Sequence, residues 1–202
     1  MADKAWNGWY HCMANTFGTW LPGDPRGFRT RGHREHVEGD YKSPPPAGVY
    51  EQRHEAAKGL MKRDAVVLDE GARRVACEEI RDSLERHGAE VLAVSVSAKH
   101  IHVLARFPLE GKPTFGERGL RGGRTSATDD PVRHIMGLAK QWSAKRLIAG
   151  GLASPGGVWA RKGKIVPIKD RAHQVAVFKY ILEHGPKEGA AVWSFRDGDT
   201  DR

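Results

Sequence analysis

Three imidazoles and one phenol are the side chains of this sequence best suited to act together. His100-Ile101-His102 sets two histidines two residues apart. In a strand, side chains alternate, so both imidazoles point to one side and can share a metal ion while Ile101 turns into the core. Far along the chain, Tyr180 and His184 are four apart, one turn from each other on a single helical face. Such a set offers three neutral nitrogen ligands to a divalent ion and leaves coordination positions open. The phenol has an unperturbed pKa of about 10 and needs help at neutral pH. A divalent cation supplies that help by polarising a phosphodiester and stabilising the negative charge that grows during attack. The tyrosine then displaces a 3′-hydroxyl and keeps the phosphate as a phosphotyrosyl ester. Such an ester retains most of the phosphodiester's free energy, so another 3′-hydroxyl can reseal it without ATP.

Neither pair is specific alone. Ten histidines in 202 residues give roughly half an H-x-H per chain by chance. Paired strand histidines also occur as half-buried residues with ordinary hydrogen bonds. A tyrosine near the end of a core helix commonly packs with its hydroxyl in water. The signal gains from position, because the histidine pair opens a strand directly after a tight reversal.

The surrounding elements must hold these groups. Trp6 to Met13 reads as a first strand, dense in aromatics. Gly23 to Glu55 is polar and aperiodic, with Pro44, Pro45 and Pro46, and reads as an elaborated loop within an insertion at about 16–60. It carries His33 and His36, an ornamental H-x-x-H on this reading, and Arg26, Arg29 and Arg31. Glu70 to His87 is a helix with Ala72, Ala76, Ile80 and Leu84 on one face and Gly88 as its stop. Val91 to Val96 and His100 to Phe107 form a hairpin around Ser97, Ala98 and Lys99. A basic, Gly-rich loop follows at about 108–130.

Asp130-Pro131 opens the next helix, which ends at Gly150-Gly151. A short second hairpin, Val158 to Ala160 with Lys164 to Ile168, is expected to turn at Lys162-Gly163. Asp170 caps a last helix that should stop at Gly185-Pro186, near His184. The tail after 192 should fray. Strands and helices mix without regular alternation, which argues for one α+β domain: an antiparallel sheet with helices on one face.

Composition narrows the partners. Thirty-three Lys and Arg against 25 Asp and Glu leave a net charge of +8, a field that attracts polyanions. No stretch approaches the ~18 apolar residues of a membrane span, and the N-terminus lacks the apolar segment of a secretory signal. Cys12 and Cys77 have no paired spacing and read as reduced, buried thiols of a cytoplasmic protein.

The stretch from Ala93 to Leu104 around His100-Ile101-His102, with Phe178-Lys179-Tyr180-Ile181-Leu182-Glu183-His184-Gly185-Pro186, resembles the Y1 transposases of the IS200-like family. Within that family it looks most similar to the REP-associated tyrosine transposases. The resemblance runs in order through the first strand, the helix before the hairpin, the histidine strand, the helix around Trp142, the Trp159 segment and the tyrosine helix. It implies a ferredoxin-like fold of the HUH endonuclease type, metal binding by His100 and His102, and Tyr180 as the nucleophile that forms a 5′-phosphotyrosine on single-stranded DNA. The family carries a metal-ligating amide one turn after the tyrosine. His184 stands there in this chain, which leaves the choice between Mg²⁺ and Mn²⁺ open. Family members also commonly have Pro-Asn before the histidine pair, where this chain has Ala98-Lys99.

On this reading the chain nicks and rejoins single-stranded or hairpin DNA of the REP type in the cytoplasm, associated with the nucleoid. Phosphate contacts come from Arg106, Lys140, Lys145 and the loop residues Arg118, Arg121 and Arg124. Each of these charges has the plainer alternative of a solvated surface group. The resemblance is compatible with a monomer or a homodimer. The competing reading is a domesticated hairpin-binding protein that has lost strand transfer, although a pure binder has no use for the histidines and the tyrosine. A metal-dependent hydrolase built on H-x-H fits poorly, because the chain lacks the strand-helix alternation of a β/α barrel.

Overall fold

The structure is a computed structural model, and it describes residues 5–24, 28–29, 36–37, 48–108 and 131–197. A short turn, Trp6–Gly8, leads into β1 (Trp9–Thr16). Two-residue strands β2 (Phe28–Arg29) and β3 (His36–Val37) pair with each other. Then follow α1 (Glu51–Gly59), α2 (Glu70–Arg86), β4 (Glu90–Val96), β5 (His100–Arg106), α3 (Pro131–Ala149), β6 (Trp159–Pro167), α4 (Arg171–Glu188) and β7 (Ala191–Ser194). The main sheet runs β6-β1-β5-β4-β7, antiparallel throughout. Its first four strands, with α2 and α3, have the order of a ferredoxin-like βαββαβ unit. The chain is α+β, as its sequence predicts.

Alternation along the strands sorts the core into two sides. Val94, Val96, Ile101, Val103, Cys12 and Ala14 share one cluster with α2 and α3. Ala93, Leu104 and Trp9 belong to another with Val177, Phe178 and Ile181 of α4. The helices therefore do not all lie on one face: α2 and α3 cover one side, and α4 lies across β4, β5 and β7 on the other. His100 and His102 have the parity of Leu104, so the strand aims both at the α4 side.

Local chemistry accounts for the helices. The Asp69 carboxylate caps α2 by accepting from the Ala72 amide at 2.7 Å. Ala72, Ala76, Ile80 and Leu84 are fully buried at four-residue spacing, and the small alanines let the helix approach the sheet closely. Asp170 caps α4 in the same way, accepting from the His173 amide at 2.7 Å. On α3, the Ser143 hydroxyl accepts from the Trp159 indole N–H at 2.9 Å and ties the helix to β6.

Four further expectations are corrected. The first strand starts at Trp9 rather than Trp6. The second hairpin is one continuous strand, β6, and Gly163 is not a turn residue but a point of close approach. A Cβ at Gly163 would lie 2.5 Å from the Met13 carbonyl oxygen. The expected fraying after 192 does not hold for residues 193–197, because β7 pairs with β4 and the Ser194 amide and hydroxyl both donate to Asp197, while 198–202 lie outside the described residues. Finally, α4 runs through Gly185 and Pro186 to Glu188, where Gly189 closes it in the left-handed conformation at φ 62°. Proline in a last turn removes one hydrogen bond but does not end the helix at once.

Candidate metal and nucleophile site

The hairpin that presents the histidine pair is fixed by its own first turn residue. The Ser97 hydroxyl accepts from the backbone amides of Lys99 and His100 at 3.3 and 3.2 Å, and the Ser97 amide donates to the His100 carbonyl at 2.9 Å. A side-chain oxygen thus builds the reversal in place of Pro-Asn. β5 then aims His100 and His102 at α4, whose buried face delivers His184.

The ligand nitrogens of His100, His102 and His184 all lie within 4.8 Å of one another. His102 and His184 are buried, and His100 is half-buried. The Tyr180 ring stands edge-on to this cluster. Its centroid is 4.7 Å from that of His184, 5.4 Å from His102 and 6.2 Å from His11. Tyr180 is 48% exposed, so the residue is accessible from solvent while its ring stands against the buried imidazoles.

Hydrogen bonds decide which nitrogens face inward. His184 Nδ1 lies 2.9 Å from the Tyr180 carbonyl oxygen. A carbonyl only accepts, so Nδ1 carries the proton and the lone pair is on Nε2. His102 Nδ1 is engaged with His11 Nε2 at 2.9 Å, which again leaves Nε2 to face the cluster. Burial, with repulsion from His11, His184 and His100, pushes His102 down to about 2. Burial, with repulsion from His173, His184 and Lys164, pushes His11 down to about 4. Both rings are therefore neutral at neutral pH, as a ligand must be. Three converging imidazoles fit a divalent cation, and the nitrogens of His100, His102 and His184 are the donors that would hold it.

Two residues of the site escaped the sequence reading. His11 lies on β1 opposite Leu104, which places it beside His102 on the same face. Its signal was only an alternating position in an aromatic strand. Glu188 lies one turn beyond His184, with Oε2 3.3 Å from His100 Nε2 and Oε1 4.0 Å from His184 Nε2. Its signal, the four-residue spacing from His184, was masked by Gly185-Pro186.

Among the described residues, the candidate phosphate contacts are dispersed. Arg106 ends β5, roughly 20 Å along the strand from His100, where it pairs with Glu90 and lies 5.7 Å from the Trp9 ring. Lys140 and Lys145 are on α3, in the helix layer of the opposite side. The Lys140 ammonium donates to the carbonyls of Ala160 and Arg161 at 2.6 and 3.3 Å, tying α3 to β6, and burial lowers its pKa. Lys145 lies 4.6 Å over the ring of exposed Trp142. Arg118, Arg121 and Arg124 lie outside the described residues, as do His33, Arg26 and Arg31. Cys12 and Cys77 are buried thiols, and among the described residues no helix is long and apolar enough to cross a membrane.

No protein-family model and no curated protein sequence matches this chain. Among solved structures, it is similar to a REP-associated tyrosine transposase bound to a REP hairpin, at 13% identity and a TM-score of 0.41, over 94% of this chain and 73% of that one.

Proposed function

We propose that this chain is a metal-dependent HUH-type endonuclease of the tyrosine transposase kind, which nicks and rejoins single-stranded or hairpin DNA. The observation that carries the reading is the Tyr180 ring set edge-on to His184 and His102, half open to solvent, at the mouth of three converging imidazoles. The sequence resemblance around His100-Ile101-His102 and Tyr180 supports it independently.

A divalent cation held by His100, His102 and His184 would polarise the scissile phosphate and offset its charge. Tyr180 supplies the nucleophile. Its oxygen bonds to phosphorus, the bond from phosphorus to the 3′-oxygen breaks, and the leaving oxygen takes up a proton as a 3′-hydroxyl. The phosphate remains on Tyr180 as the 5′-phosphotyrosine, and attack by a 3′-hydroxyl runs the step backwards. His184 orients its own lone pair through the bond to the Tyr180 carbonyl, so nucleophile and ligand move as one helical turn. All four groups come from one chain, so the reaction needs no residue from a second copy. The net charge of +8 favours a polyanionic substrate, and such a substrate places the protein with the nucleoid in the cytoplasm.

The test is a 5′- and 3′-labelled hairpin oligonucleotide incubated with the protein and Mn²⁺, then resolved under denaturing conditions. The wild type should become cross-linked to the 5′-phosphate fragment, and Tyr180→Phe should bind the hairpin with unchanged affinity yet form no adduct. Binding without an adduct in the wild type would instead favour the domesticated DNA-binding protein, and cleavage by Tyr180→Phe would remove the assigned nucleophile.

A further inference from the structure

We infer that Glu188 is a fourth metal ligand, which turns a site of three imidazoles into one that takes a hard ion such as Mn²⁺ or Mg²⁺. This rests on the metal binding in the proposed function but not on the DNA chemistry.

Geometry carries the inference. Two donors each about 2.1 Å from one ion, at angles between square and tetrahedral, are about 3.0–3.4 Å apart. Glu188 Oε2 lies 3.3 Å from His100 Nε2, already at that spacing, and Oε1 lies 4.0 Å from His184 Nε2. The carboxylate thus spans two of the three imidazoles. Its place follows from the continuation of α4: Glu188 is four residues after His184, on the same helical face, and is the last helical residue before Gly189. Had the helix stopped at Gly185-Pro186, nothing would place this carboxylate over the histidines. The adjacent Lys187 is turned to Glu183 at 2.6 Å, a pair one step around the helix.

The chemistry gives the carboxylate a role. Three imidazoles around a divalent ion make a set suited to Zn²⁺, Co²⁺ or Ni²⁺, whereas a carboxylate oxygen shifts preference towards Mn²⁺ and Mg²⁺. It also reduces the charge of the site from +2 to +1, which lets a phosphodiester oxygen bind and leave. Glu188 is 42% exposed on its side chain, so its position borders the opening where a substrate would enter.

Mn²⁺ alone is the probe, titrated into the full chain and read by loss of the free-ion electron paramagnetic resonance signal. Co²⁺ absorption reports coordination independently. Glu188→Gln and Glu188→Ala should each weaken Mn²⁺ at least tenfold and alter the Co²⁺ spectrum, while the melting temperature of the metal-free protein stays near the wild-type value. Zn²⁺ affinity should fall less than Mn²⁺ affinity in the same variants. Mn²⁺ affinity within twofold of wild type in both variants, with an unchanged Co²⁺ spectrum, would overturn the assignment, and so would a wild type that binds neither ion. A Glu188-dependent Mn²⁺ site in a protein that never forms the phosphotyrosyl adduct would uphold the ligand and remove the nicking function. Normal adduct formation with Glu188-independent Mn²⁺ binding would do the reverse.

Discussion

His11 Nε2 lies 2.9 Å from His102 Nδ1, joining a strand that carries none of the three imidazoles expected to hold the metal to a buried member of the site. One proton is shared between two neutral rings. When His102 presents its Nε2 lone pair to a cation, the proton must lie on Nδ1 and be donated to His11. His11 therefore fixes both the tautomer and the ring orientation of its neighbour without touching the ion.

The first prediction follows from this bond. His11→Ala should reduce Mn²⁺ affinity by about 10–100-fold, the usual effect of removing such a partner. His11→Gln retains an acceptor and should recover part of the loss. Equal losses in the two variants, measured by titration at fixed pH, would show that His11 contributes packing alone.

A second prediction concerns where the nucleophile acts. The Tyr180 ring stands within contact distance of His184 in its own chain. Mixing Tyr180→Phe with His102→Ala should therefore restore no DNA adduct, because neither chain holds a complete set. Adduct formation in the mixture, absent from each variant alone, would mean that the tyrosine serves a partner's metal.

The third prediction uses the buried thiol on α2. Burial pushes Cys77 up to about 12 from an ordinary value of 9.0. The folded state then holds this proton more tightly than the unfolded chain, so stability is full below about pH 9 and falls as pH rises towards 12, by at most about 4 kcal/mol. At pH 8, iodoacetamide should label Cys77 only as fast as the protein unfolds, followed by mass spectrometry across a urea series. Native-state labelling at the rate of an exposed thiol would contradict the burial.

Much of this arrangement was legible before any coordinates, for definable reasons. The alternation of His100, Ile101 and His102 encodes which side chains face the site, because strand parity is a local property. The four-residue repeat of Ala72, Ala76, Ile80 and Leu84 does the same for α2. What escaped depends on contacts between distant segments. Gly163 reads as a turn, and only the approach of the Met13 carbonyl gives it another purpose. Gly185-Pro186 reads as a terminus, yet the docking of α4 on β4, β5 and β7 carries the helix past it. Parity shows that the histidines share a face, but it cannot reveal that α4 lies on the side opposite α2 and α3. His11 was hidden because a lone strand histidine gains meaning only from its diagonal neighbour on β5.

The position of α4 on its own side of the sheet sets an order of events at the ribosome. Strands β1, β4, β5 and β6, with α2 and α3, have all been made by Pro167, before any of α4 has appeared. At that stage His11, His100 and His102 already have their strands, but the phenol, the third imidazole and the Glu188 carboxylate are still to be translated. On the proposed chemistry, the segment made after β6 thus supplies both the nucleophile and half of the metal ligands, and a chain halted at Pro167 would hold the strand histidines with nothing to complete them.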